Sequence, residues 1–93
     1  MQNTITKQRI EKYFKLTKTA LKKIKSKIIK EKEAQAKEII NMVENYLSDA
    51  DFFYKKKDFV NAFAAVNYAH GWIDSGVRLG IFDVDDNKLF TIR

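Results

Sequence analysis

Between Thr6 and about Lys30 the apolar positions Ile10, Phe14, Leu21, Ile24 and Ile28, with Thr17 filling the gap, advance in steps of 4, 3, 4, 3 and 4. That alternation stacks side chains on one face of an α-helix, so a first amphipathic helix is predicted over residues 6–30. A second series, Ala36, Ile40, Val43, Leu47, Ala50 and Tyr54, repeats it, widened by Ile39, Tyr46 and Phe53. It predicts a helix over 34–57. Neither glycine nor proline stands between Met1 and Lys57, so the turn separating the two stripes is inferred from the polar stretch KEKEAQ, near residues 30–34. The alternative is one helix of about 50 residues, whose apolar side would stay wet unless it clasped another chain.

A third helix is predicted over 59–80. Lys55, Lys56 and Lys57 close the second helix at its negative dipole end, and Asp58 is placed to cap the next by accepting from a freed backbone amide. The main stripe of this helix is Phe59, Ala62, Phe63, Val66, Ala69, Ile73 and Val77. Its other side, Val60, Ala64, Tyr68, Gly71 and Ser75, is also apolar or small, which predicts cover on more than one side. Glycine inside a helix costs roughly 1 kcal/mol relative to alanine, so Gly71 and Gly76 suggest close approach of another backbone. Gly80 reads as the C-terminal stop. The remaining residues, 81–93, contain a turn-forming DVDDNK flanked by IF and LFTI. They are expected to fold onto the helices as a short tail or small hairpin that covers Ile81, Phe82, Leu89 and Phe90, the alternative being that they dock onto another subunit.

These elements predict an all-α fold: a single domain over 1–93, a three-helix up-down-up bundle with the C-terminal tail packed on helix three. The expected core is Phe14, Leu21, Ile24, Ile28, Ile40, Val43, Leu47, Ala50, Phe53, Phe59, Phe63, Val66, Ala69 and Ile73. The absence of cysteine removes disulfides, thiolate-ligated zinc and a thiol nucleophile, and points to a reducing cytoplasm. No stretch approaches the roughly 18 consecutive apolar residues of a membrane span, and MQNTITKQRI lacks an apolar h-region, so neither insertion nor secretion is expected.

Charge divides the chain unevenly. Residues 1–32 hold 11 basic and 2 acidic groups, a balance of +9, against 7 and 10, a balance of −3, in residues 33–93. On a helical wheel Lys15, Lys18, Lys22 and Lys25 form one row and Lys12, Lys23, Lys27 and Lys30 another, almost without interleaved acid. Like charges four apart repel, so an anionic partner such as a phosphate backbone would relieve this face. Of the 18 basic residues 15 are lysines, which act as point charges and do not read base edges as arginine does. Weak electrostatic binding of RNA or DNA through Lys15, Lys18, Lys22 and Lys25 is therefore the form nucleic-acid recognition would take.

Candidate chemistry concentrates in VNYAHGWIDSGVRLG. Asn67, Gly71, Asp74 and Arg78 fall within a narrow arc of the third helix, with His70 at its border with the core stripe, and Asp49 on the second borders its apolar side, where a buried cross-helix hydrogen bond is expected. His70 and Asp74 have the spacing for a carboxylate to orient the imidazole, but no nucleophile stands with them, and one histidine with scattered aspartates falls short of a metal site. The cluster is therefore read as a structural tie, with no catalytic residue, metal or cofactor assigned. Phe52, Tyr68, Gly71 and Trp72 are the positions least explained by the core stripes and the candidates for contact with a partner protein.

The Tyr46, Asp49, Ala50 and Phe53 series, the block KDFVNAFAAVNYAHGWID and the exit GVRLGIFDV together resemble the archaeal domain-of-unknown-function family 357. The resemblance implies a small three-helix bundle and a cytoplasmic archaeal protein, and it carries no activity or catalytic residues to transfer. Two weaker likenesses lapse. The Asp58, Phe59, Ala62, Ala69 spacing is similar to half a tetratricopeptide unit but has no second copy, and a helical-hairpin nuclease would need an arginine shortly before His70, where none stands. The expected function is a non-catalytic protein-interaction module, one form of which is a homodimer joined through the small-residue side of helix three and the tail. The alternative is the weak nucleic-acid binder, with an enzyme centred on His70, Asp74 and Arg78 in third place. No membrane partner is expected.

Overall fold

The computed structural model describes residues 6–85. Three helices form in it: α1 (Lys7–Lys25), α2 (Glu33–Lys55) and α3 (Phe59–Arg78). Thr6 opens α1, its hydroxyl accepting from the Arg9 amide at 3.1 Å, and Asp58 opens α3 by accepting from the Asn61 amide at 3.3 Å. Both satisfy amides that have no partner in the first turn.

The first helix stops at Lys25, five residues short of the expected Lys30. Residues 27–29 leave the helix to pair with the chain beyond α3. The Ile29 amide donates to the Ile81 carbonyl at 3.0 Å and the Asp83 amide to that of Lys27 at 2.8 Å, with Ile28 and Phe82 as an antiparallel bridge. Ile28 is apolar for this contact, and its place in the helical period is coincidental. The chain then reverses through Glu31, whose φ of 75° is left-handed.

Helices α2 and α3 end alike. The Asp58 and Lys57 amides donate back to the Phe53 and Tyr54 carbonyls, and those of Ile81 and Gly80 to Gly76 and Val77. Each end has a residue in the left-handed region after the last turn, as this pattern requires. At α3 it is Gly80 with φ 75°, the expected stop, and at α2 it is Lys57 with φ 63°.

Side-chain contacts give the senses of the helices. Lys25 at the end of α1 meets Glu44 in α2, whereas Glu11 near its start meets Tyr54 near the end of α2, so the two run in opposite directions. Thr17 meets His70 and Tyr13 meets Phe63, so α1 and α3 run the same way. Helix α3 packs mainly on α2, less on α1, and α1 barely touches α2. The intimacy of α2 and α3 follows from buried small residues, Ala62, Ala65, Ala69 and Gly76 on α3 against Ala36 and Ala50 on α2.

The larger core cluster contains Leu21, Ile24, Ile39, Val43, Leu47, Ile73, Ile81 and Phe82. Ile39 is buried and Ile40 half-buried, the reverse of expectation, because α2 turns its Ala36, Ile39, Val43, Leu47 series inward. Phe14, Phe53, Phe59 and Phe63 are likewise half-buried. At that end a small cluster of Ala50, Ala65 and Val66 fills the centre, and the rings lie around it. Of the tail, Ile81 and Phe82 are buried, while Leu89 and Phe90 lie outside the described residues.

Candidate functional site

The polar cluster forms where α1 crosses α3. The Thr17 hydroxyl lies 3.1 Å from His70 Nδ1, and Nε2 on the far side of the ring is 3.8 Å from Asp74 Oδ1. A cavity of about 240 Å³ opens beside them, lined by Tyr13, Thr17, Asn67, His70, Gly71 and Asp74. Asn67, His70 and Asp74 are thus brought together as the helical spacing implied. Arg78 is exposed and does not line the cavity. Asp49 is also exposed, which corrects the expected buried cross-helix bond: it lies one step outside the inward series of α2, so water solvates the carboxylate.

Thr17 is the member of this cluster that its place in an apolar stripe concealed. The available signal was a hydroxyl at a core position, since a buried hydroxyl needs a partner. Hydroxyl, imidazole and carboxylate stand in a row that resembles nucleophile, base and orienting acid. Thr17, however, is only 1% exposed, and its oxygen is committed to the ring. The 3.8 Å gap on the other side exceeds hydrogen-bond length. As built, the row ties α1 to α3. Among the described residues no group of three or more His, Cys, Asp or Glu side chains could hold a metal ion.

On α1, Lys15, Lys18, Lys22 and Lys25 are all exposed. Lys25 is paired with Glu44 at 2.8 Å, and the Lys18 ammonium sits 4.8 Å above the Phe14 ring. Nearby, the Tyr54 hydroxyl donates to the Glu11 carboxylate. That bond, with some desolvation and the carboxylate charge, pushes the phenol up from 10.0 to about 12.

The outer side of α3 is different in kind. Asn67, Tyr68, Gly71, Trp72 and Ser75 line a shallow groove of about 320 Å³. A Cβ at Gly71 would meet nothing within 4 Å, so the close approach expected there does not come from within the chain. At Gly76 the space is taken by a side chain and not by the expected backbone: a Cβ would lie 2.6 and 2.9 Å from two ring carbons of Phe82. Tyr68 leans on Tyr46 of α2 with ring centres 5.5 Å apart. Phe52 stands apart from this groove, against Phe53 and under the Lys56 ammonium.

Helix order and site together define a small all-α protein with no metal cluster among its described residues. The chain belongs to the family described as protein of unknown function (DUF357), whose family model matches residues 12–82. The match takes in most of α1 as well as the segments that carry the resemblance above, and ends on Phe82, the residue that bridges to Ile28. No curated protein and no solved structure matches the chain. Among the described residues no helix is long and apolar enough to cross a membrane.

Proposed function

We propose that this protein is a non-catalytic interaction module that docks a protein partner on the outer side of α3. The observation that carries the reading is the exposure of large side chains on that helix and just past its end: Val60 is 68% exposed, Tyr68 62%, Trp72 37% and Leu79, its C-cap, 72%. Contiguous exposed apolar surface of this kind marks interaction sites, and tyrosine and tryptophan dominate binding energy where they occur. The open space above Gly71 gives an incoming helix room beside the two rings. The cysteine-free sequence suits work in the cytoplasm. The test is a photo-cross-linking amino acid at Tyr68 or at Lys37 in the protein's own cells. Adducts at Tyr68 but not at Lys37 are expected, and equal yields at both positions would refute the docking face.

A second reading, weak binding of RNA or DNA, is favoured by the exposure of the α1 lysines. Because Lys25 and Lys18 already have contacts of their own, charge reversal at Lys15 and Lys22 is the more direct probe. Binding should fall steeply with salt and further in the doubly reversed variant; no binding at low salt ends this reading.

A further inference from the structure

We infer that the cavity between the start of α1 and the end of α2 is a binding site for a small amphiphilic anion, a flat apolar body carrying one carboxylate, sulfonate or phosphate. The site is separate from the docking face on α3. Helical spacing builds it. Glu11, Phe14, Lys15 and Lys18 follow one another at steps that keep them on one side of α1, and Asp51 and Tyr54 share a side of α2 in the same way. Because α1 barely touches α2, these two sides leave a space of about 350 Å³ between them, which they line together with Ile10. That volume admits a molecule of one or two fused rings, and most of the wall is apolar, as is usual for small-molecule sites. Ile10 is fully buried and Phe14 half-buried, so an apolar floor is already in place for the ligand's body.

Charge selects the ligand's other end. Two acids and two lysines line the space, but they are not equally available. The Glu11 carboxylate accepts from the Tyr54 hydroxyl, and the Asp51 carboxylate is paired with Lys55 at 2.9 Å. The Lys15 ammonium is exposed and has no ion-pair partner among the described residues. That of Lys18 lies 4.8 Å from the centre of the Phe14 ring, at the cavity floor, with no acid beside it among the described residues. An anion therefore gains two cations without displacing a bond already made. A cation would compete with Tyr54 and Lys55 for the acids and would meet Lys15 and Lys18 as like charges. Lysine stems are themselves apolar, so both can lie along the ligand while their ammonium groups hold its charge at the rim. The two cations remain solvated, which keeps the affinity of so small a ligand in the millimolar range.

Three probes of one shape and different charge test the site: indoleacetate, its neutral alcohol tryptophol and the cation tryptamine. Added to the purified, isotope-labelled full chain, indoleacetate should give saturable NMR shifts at the amides of Ile10, Phe14, Lys15 and Tyr54, and none around Trp72. Tryptophol should bind about fivefold more weakly, and tryptamine more weakly still. Lys15 and Lys18 are exposed, so the double variant Lys15→Gln with Lys18→Gln should keep its fold, read as an unchanged spectrum elsewhere. It should bind indoleacetate no better than tryptophol, with tryptophol itself unaffected. Lys22→Gln, on the same helix but outside the cavity, should change nothing. Equal binding of indoleacetate and tryptophol overturns the inference, as does tightest binding of tryptamine, which would mean that Glu11 and Asp51 face the ligand. So does a loss in Lys22→Gln as large as in the double variant, the mark of a lysine row that gathers anions without a cavity. Shifts that do not saturate at tens of millimolar, or that centre on Trp72, overturn it as well.

Discussion

The two ends of this bundle are closed in different ways. Where α1 ends, α2 begins and α3 leaves, three chain segments converge. Backbone hydrogen bonds between residues 27–29 and 81–83 hold them, and Phe82, 2% exposed, fills the space between. At the opposite end the α2–α3 turn is, among the described residues, the one connection between the helices. There Tyr54 and Phe59 and Tyr13 and Phe63 lean on one another half in water, beside a cavity of about 350 Å³. The contrast teaches that the sealed end owes its tightness to chain crossings, which bring backbone partners as well as side chains. The open end relies on the small cluster of Ala50, Ala65 and Val66 and on the rings around it.

The sharpest way to break this comparison is to empty each end in turn. Phe82→Ala should cost about 3–5 kcal/mol in chemical denaturation, a large part of the stability of a domain this size, whereas half-exposed Phe63→Ala should cost roughly 1–2 kcal/mol. Equal losses would mean that the ends are equivalent. The next test compares two glycines on one helix. Gly76→Ala must displace the Phe82 ring and should lose about 1–2 kcal/mol despite better helix propensity, while Gly71→Ala should gain close to 1 kcal/mol. A smaller change concerns the turn of the open end. Lys57 adopts the conformation that Gly80 adopts at the sealed end, so Lys57→Gly should stabilise by about 0.5–1 kcal/mol, read as a rise in Tm.

The smallest effect is a titration. Tyr54 should ionise near pH 12 in the folded protein, and Glu11→Gln should return it toward its ordinary value, both followed by phenolate absorbance. Because the folded phenol holds its proton more tightly than the unfolded one, its contribution to stability is complete below about pH 10 and lost as the pH rises through about 12.

Much of the fold was legible because helix signals are local. Asp58 before an apolar stripe, the stripes themselves and Gly80 after the last one mark α2 and α3 to within two residues. The end of α1 was not legible, because Ile28 keeps the helical period while serving a contact with Phe82, more than fifty residues away. Glu31 and Lys57 turn the chain without the glycine that would have marked a left-handed residue. The candidate site divides similarly. Asn67, His70 and Asp74 share an arc by spacing alone, but Thr17 reaches His70 only through the register of α1 on α3. Phe52, Tyr68, Gly71 and Trp72 shared one property in the sequence, the lack of a core role. Packing separates Phe52 from the other three.

The clasp between positions 76 and 82 also constrains how this chain can change over generations. A ring at 82 penalises a methyl at 76, so a bulkier residue at 76 is better tolerated once 82 has shrunk. The pair should therefore vary together among descendants, and the double change Gly76→Ala with Phe82→Leu should cost less than the sum of its parts.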